Sequence, residues 1–262
     1  MLEYKIKYLN KRHANIKNGS AEHAARSRPC FIVLPGLAPD PLSVVPIKTY
    51  LEKRGYPAIV SNFCGDLTTT DFSKLRIEDC LQNLGALIKE ARRKYSRVGG
   101  IGISLGGALL IEHAKTNSDL DFIVSIGTPF KLRKARLISL SLPLAPILHP
   151  IWKFFDEAER ARPLPVEALP MAMRFFEGRF LENLDRVKSS VLFMHGKKDP
   201  ATHYQALLRY VPEFSNARTK VVLSEDGDHQ MNYDLAAITR GVFDFLGLPG
   251  ESQAGLAISG GE

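Results

Sequence analysis

Gly102-Ile103-Ser104-Leu105-Gly106-Gly107 is the segment that most constrains this chain. The apolar run Val98-Gly99-Gly100-Ile101 precedes it, and a helical stretch, Ala108-Leu109-Leu110-Ile111-Glu112-His113, follows. Gly-x-Ser-x-Gly between a strand and a helix has a steric meaning. A serine pushed out at a sharp strand-to-helix turn sits in a strained backbone conformation. The turn also brings strand and helix so close that the residues two before and two after the serine must be small. Here they are Gly102 and Gly106. Without its context the pattern would carry little information, since glycine and serine are common in turns. With it, Ser104 is a candidate nucleophile.

The rest of the chain supplies that context. At the N-terminus, Leu2, Tyr4, Ile6 and Tyr8 alternate with Glu3, Lys5 and Lys7, which reads as a first strand. Six further apolar runs read as buried strands: Phe31–Leu34, Pro57–Val60, the run from Val98 into the Ser104 turn (the elbow), Phe122–Ile126, Val191–Met194 and Thr219–Leu223. Helical patterns separate them. Ile47, Tyr50 and Leu51 form one, stopped at Gly55; Ile77, Leu81, Leu84 and Ile88 form the stripe of another; a C-terminal helix spans about Tyr233 to Leu246. Such alternation predicts an α/β fold with a mostly parallel central sheet and helices on both faces. Residues 131–187 break the rhythm. They hold Pro143, Pro146, Pro150, Pro163, Pro165 and Pro170 and are rich in Leu, Phe and Met, with the one Trp, Trp152. We read them as a helical cap inserted into a core made of 1–130 and 188–246, with the Gly/Ser-rich tail 247–262 disordered.

Composition excludes several classes. The net charge of +7 comes from scattered basic residues, such as Lys11-Arg12, Arg92-Arg93-Lys94 and Lys131-Leu132-Arg133-Lys134-Ala135-Arg136. No aromatic-interleaved platform or recognition helix accompanies them, so nucleic acid is not an expected partner. A solvated basic surface with weak attraction for anionic surfaces is the expectation, and the oligomeric state is left open. Three cysteines, Cys30, Cys64 and Cys80, give an odd count without a Cys-x-x-Cys spacing, which points to a reducing, cytoplasmic setting. The first residues lack the apolar core of a signal peptide. The longest uncharged stretch, Leu137–Trp152, is proline-broken and shorter than the roughly 20 residues of a membrane-spanning helix.

A serine hydroxyl is a weak nucleophile until a base takes its proton, and that base needs a third group to fix its tautomer. In a parallel sheet these partners belong in loops after later strands, in the order serine, acid, histidine. Asp199 follows the run Val191–Met194, and His229 follows Thr219–Leu223. An oxyanion would be held by the N–H of Leu105, next to the nucleophile, and by that of Leu37 in Leu34-Pro35-Gly36-Leu37, because Pro35 has no N–H. Other residues compete for these roles. His195, at a strand end, reads as a buried, hydrogen-bonded structural histidine. His113 sits inside the helix after the elbow, and His149 in the insertion. Asp226 and Asp228 lie beside His229 without a fourth metal ligand at usable spacing, so no metal or other cofactor is expected. Asp199 could also merely cap a helix starting near Thr202.

With these residues placed, the chain resembles the α/β-hydrolase superfamily from about Arg28 to Leu246. It is most similar to bacterial carboxylesterases and monoacylglycerol-lipase-like serine hydrolases. Leu34-Pro35-Gly36-Leu37 resembles the oxyanion loop, which more often reads His-Gly. Ser125-Ile126-Gly127-Thr128-Pro129-Phe130 resembles the strand end before a lid. The resemblance implies hydrolysis of a small carboxylic ester through an acyl-enzyme. Trp152, Phe155, Met173 and Phe176, with Phe154, Met171 and Phe175, are the candidates for lining an apolar acyl pocket, although some of them could simply pack the cap onto the sheet. A serine aminopeptidase or amidase with the same triad is the alternative, and a non-catalytic binding protein on this fold a more distant one.

Overall fold

The computed structural model of the protein describes residues 28–37, 44–61, 71, 74–131, 168–231 and 234–249. The expected N-terminal strand, Cys64, His149, Trp152, Phe154, Phe155 and nearly all of the tail lie outside these residues.

Six strands, β1 (Cys30–Leu34), β2 (Ala58–Val60), β3 (Val98–Ile103), β4 (Phe122–Ile126), β5 (Ser190–Gly196) and β6 (Thr219–Ser224), form one sheet in the order β2-β1-β3-β4-β5-β6. Every pairing is parallel. The strands are the six runs expected from the sequence. The first of the edge strands, β2, starts one residue later than its apolar run because Pro57 has no N–H to pair, although its carbonyl still accepts from Phe31 at 2.8 Å.

Helices α1 (Val45–Lys53), α2 (Ile77–Lys94), α3 (Leu105–Ala114), α4 (Leu169–Glu177), α5 (Tyr204–Tyr210) and α6 (Leu235–Leu246) cover the sheet. The period-2 alternation of the strands splits the core in two. Phe31, Val33, Ile101, Ile103, Phe122, Val124 and Leu192 pack with Ile47, Leu51, Ile238 and Val242 of α1 and α6. Cys30, Ile32, Leu34, Val98, Ile123 and Phe193 face Leu84 and Ile88 of α2, Leu109 of α3 and Leu207 of α5 on the other side. In α2 the inner stripe runs through Ile77, Cys80, Leu84 and Ile88, with Leu81 only partly covered. Glu78 and Asp79 sit in its first turn and Arg92, Arg93 and Lys94 in its last, matching the helix dipole. Every residue of α3 is buried, as expected of a helix that is apolar nearly all round. Asp234 caps α6 by accepting from Ala237 N at 2.9 Å.

The described part of the insertion returns over the α2–α3 side. Ala172, Phe175 and Phe176 of α4 join that core, together with Phe180. A charged knot holds the return segment to α3. Glu112 is bonded to Lys115 and to Arg179 Nε, each at 2.7 Å, and Arg179 reaches Glu78 at 2.8 Å. Lys115 Nζ also donates to the Phe180 carbonyl at 2.8 Å. Burial pulls the Lys115 ammonium below its usual range, and the Glu112 carboxylate opposes that pull.

This strand order places a switch point between β1 and β3. The chain leaves β1 towards β2 on one side and returns to β3 on the other, so connections diverge at the carboxyl ends and leave a crevice there. Space at that edge is minimal. A methyl group on Gly102 would collide with the backbone of Gly106 and Gly107, and one on Gly106 with the carbonyl of Pro35. Backbone atoms cannot swing aside as a side chain would. Gly102→Ala should therefore lower stability by about 1–3 kcal/mol. A urea unfolding midpoint unchanged from the native protein would contradict this packing.

Candidate active site

Ser104 stands between β3 and α3 with φ 52° and ψ −115°, a positive-φ conformation unusual for a residue bearing a Cβ. Its N–H donates to the Ile126 carbonyl at 2.7 Å, tying the turn to the end of β4. Thr128 Oγ1 donates to the Ser104 carbonyl at 3.2 Å and receives the Ser125 hydroxyl at 2.7 Å. The Ser104 backbone is thus held from two points on the neighbouring strand end, Ile126 and Thr128. The loop after β1 closes over it: a methyl group on Gly36 would sit 3.4 Å from Ser104 Cβ. Leu37, the next residue, is partly buried against the α2–α3 core, and Leu105 opens α3. Leu105 directly follows the serine, and Leu37 directly follows the Gly36 that approaches it.

Asp199 lies in the turn after β5, and His229 in the turn after β6. His229 Nδ1 is 2.7 Å from Asp199 Oδ2. A carboxylate only accepts, so Nδ1 carries the proton and Nε2 of a neutral His229 keeps its lone pair. Gly127, directly after β4, has φ 57°, and any side chain there would strike the His229 carbonyl. Ser104 bonds to Ile126 and His229 presses on Gly127, so serine and histidine flank one corner of the sheet edge. In this structure no hydrogen bond joins the Ser104 hydroxyl to His229 among the described residues.

Asp199 is itself 1% exposed. Burial works against its ionisation, but hydrogen bonds from His195, His229 and Thr202, with the positive charge available on His229, outweigh it and hold the carboxyl well below the usual range. Its Oδ1 accepts from the N–H groups of Ala201 and Thr202 at 2.7 and 2.9 Å. That is a tight side-chain turn and not a helix cap, because α5 begins at Tyr204 with His203 before it.

No protein-family model matches the chain, and no curated protein does. Solved structures do. One, reported under "LipS and LipT, two metagenome-derived lipolytic enzymes", aligns with a TM-score of 0.66 over 84% of this chain and 94% of its own, at 17% identity. The esterase EaEST of Exiguobacterium antarcticum gives 0.66 over 84% and 92%, at 16% identity. The enol-lactonase of Burkholderia xenovorans LB400 gives 0.63 over the same shares, again at 16%. This chain has the α/β-hydrolase fold. At such identities the likeness establishes the architecture, and the chemistry must be argued from the side chains.

The remaining sequence-derived candidates in this chain are distributed as follows. Met173 and Phe176 are buried in α4. The Phe176 ring lies 5.5 Å from that of Phe175 and 5.8 Å from that of Phe180, so it is engaged in core packing. Met171 and Phe175 line a cleft of about 310 Å³ at the start of α2, beside Arg76, Arg174 and Arg179. Trp152 and Phe155 lie outside the described residues. His113 is buried and bonded to Asp119 at 2.8 Å. Asp226 pairs with Lys198, and Asp228 accepts from Gln230 N at 2.8 Å. Among the described residues no group of three or more His, Cys, Asp and Glu is arranged to hold a metal ion. Thr202 and Thr128 were not legible as site residues. A threonine three positions after an aspartate is a common turn composition, and nothing in the linear sequence distinguishes a buried hydroxyl from an exposed one.

The depressed Asp199 carboxyl has a consequence for stability. A group ionising more readily in the folded chain contributes stability fully above the ordinary carboxyl range near pH 4, and loses it as pH falls further. The stability advantage of the native protein over Asp199→Asn, measured by urea unfolding, should shrink as pH falls below about 4. An advantage undiminished between about pH 4 and about pH 2 would contradict the assignment of an ionised, multiply bonded carboxylate.

Proposed function

We propose that this protein is a serine hydrolase that cleaves carboxylic esters through an acyl-enzyme intermediate. The observation that carries the reading is the Asp199–His229 pair, bonded at 2.7 Å, on the same sheet edge as a serine in a positive-φ strand-to-helix turn. In this reading Ser104 Oγ attacks the ester carbonyl carbon while its proton passes to His229 Nε2. The carbonyl π-electrons move onto oxygen, which the Leu37 and Leu105 N–H groups stabilise. Collapse of the tetrahedral intermediate breaks the bond to the leaving alkoxide, which takes the proton from His229. Water, deprotonated by the same histidine, then releases the acid and restores Ser104. Asp199 stays ionised and stabilises the imidazolium. The scheme uses no metal and no cofactor.

Residues 131–187 act as the cap in this proposal, with Trp152, Phe155 and Met173 contributing walls of an apolar acyl pocket, while Phe176 packs in the core behind them. The topology supports the placement, since the segment joins β4 to β5 and both strands end at the edge where Ser104 stands. A cytoplasmic location is part of this proposal, supported by the odd count of three cysteines without a Cys-x-x-Cys spacing. No helix among the described residues is long and apolar enough to cross a membrane.

Ser104→Ala and His229→Ala should each reduce kcat for p-nitrophenyl butyrate by about 10⁴-fold or more, and the double variant should be little worse than either. A fluorophosphonate probe should label the native chain and not Ser104→Ala. Activity above a few per cent in a cleanly purified Ser104→Ala would sink the reading. An aminoacyl anilide hydrolysed faster than the ester would turn it into an amidase.

Substrate preference provides a second check. Each methylene buried in an apolar pocket is worth about 0.8 kcal/mol, so kcat/KM for p-nitrophenyl esters should climb several-fold per carbon until the pocket is full. A flat response from acetate to octanoate would remove the acyl pocket from the proposal.

A further inference from the structure

Asp199 carries more hydrogen bonds than the orientation of one imidazole requires. Its Oδ2 accepts from His229 Nδ1 at 2.7 Å and also from the Thr202 hydroxyl at 2.6 Å. Thr202 Oγ1 lies 2.9 Å from His195 Nε2, which is itself 3.3 Å from Oδ2. Asp199, Thr202 and His195 are each 1% exposed, so no solvent competes for these contacts. Proton accounting then leaves one arrangement. The carboxylate oxygen only accepts, so Thr202 must place its single hydroxyl proton there, and its oxygen is left to accept from His195. His195 therefore carries its proton on Nε2.

We propose that His195 and Thr202 form a positioning arm on Asp199 Oδ2, the oxygen that holds His229, and thereby set the strength of the carboxylate's hold on the catalytic imidazole. The inference rests on the reading of Asp199 and His229 as the acid–base pair. Donors compete for the electron density of one oxygen. The Thr202 hydroxyl, polarised by the Nε2–H of His195 that it accepts, directs its proton at Oδ2 and leaves less negative charge for the Nδ1–H of His229, so the arm makes the imidazolium less favourable and the free base more available. The carboxylate remains fixed because Oδ1 is already held by the Ala201 and Thr202 N–H groups.

The titratable groups on the surrounding elements are few. Asp228 lies beside His229 in the turn after β6. Lys198 and Lys197 after β5 are neutralised by Asp226 and Glu225. His203 and Tyr204 stand at the start of α5, and the end of β4 contributes the uncharged Gly127 and Thr128. Thr202 and His195 are the groups among these that bond to Asp199 Oδ2 beside His229.

The test compares the native chain with Thr202→Val, Thr202→Ser and Ser104→Ala. It uses p-nitrophenyl butyrate from about pH 5 to about pH 9, with rates of the native chain and the Thr202 variants normalised to sites titrated by a fluorophosphonate and that of Ser104→Ala to protein concentration. Valine keeps the volume and removes the hydroxyl. The acid limb of kcat/KM should move upward by roughly half a pH unit in Thr202→Val. Its kcat should fall several-fold with KM nearly unchanged, and Thr202→Ser should restore both. A Thr202→Val profile superimposed on the native one, with only the melting temperature lowered, would make the arm structural and overturn the proposal. If Ser104→Ala instead stays active, the parent reading fails and the arm with it, a distinguishable result. Nitrogen-15 NMR of histidine-labelled native protein needs no variant to fold: His195 should appear as the Nε2–H tautomer, and an Nδ1–H signature would overturn the proposal.

Discussion

Ser104 occupies a backbone conformation that a residue with a side chain adopts only when its surroundings leave no alternative, at a typical cost of about 1–3 kcal/mol. Those surroundings are specific. Gly102 and Gly106 let β3 and α3 approach until backbone meets backbone, and the carbonyl of Pro35 seals the same contact from the β1 loop. The Ser104 N–H donates to Ile126, and its carbonyl accepts from both Thr128 and the Ala108 N–H of the first helical turn, so the serine backbone cannot relax without breaking a bond. The strain is sustained by the two-sided core, whose β3 and α3 residues are almost entirely out of water.

The same economy of space governs the opposite wall of the crevice. Gly127 turns the chain at the end of β4 with a positive φ and offers no side chain, which is why the backbone of His229 can lie directly on it. Asp199 then meets His229 from the β5 side. A buried carboxylate is unfavourable by itself; this one is tolerated because it accepts two backbone N–H groups, a hydroxyl and an imidazole. Desolvation also strengthens its interaction with the histidine it holds. The charge is retained and aimed, which is the condition an acid–base partner has to meet.

The return of the insertion shows a different solution to burying charge. Glu112, Lys115 and Arg179 form a knot in which the buried carboxylate is matched by two cations and the lysine also satisfies a backbone carbonyl. Removing one member would leave an uncompensated charge, so the knot fixes where 179–181 attach to α3. Because α3 is the helix that Ser104 begins, the anchorage of the insertion and the geometry of the elbow share one rigid element.

Much of the architecture was legible in the residues themselves. Apolar runs of strand length, separated by helical stripes, specify a covered parallel sheet because each strand must bury both faces, and the six expected runs are the six strands observed. Gly102, Ser104 and Gly106 marked the elbow because the steric rule acts over neighbouring residues. Asp199 and His229 were legible as candidates because strand ends in such a sheet share one edge. What the sequence left open was whether those two side chains meet, which depends on how the loops after β5 and β6 fold towards each other. The sequence pattern also put Leu81 on the inner stripe of α2, where the structure has Cys80, because helix rotation against β3 and α3 is decided only by packing. Thr202 and its link to His195 were hidden for the same reason: a hydroxyl acquires its role from burial beside partners brought in by β5 and α5. Local rules of spacing and sterics are written along the chain, but the proton arrangement around Asp199 exists only once the strands have brought the loops to one edge and excluded water from it.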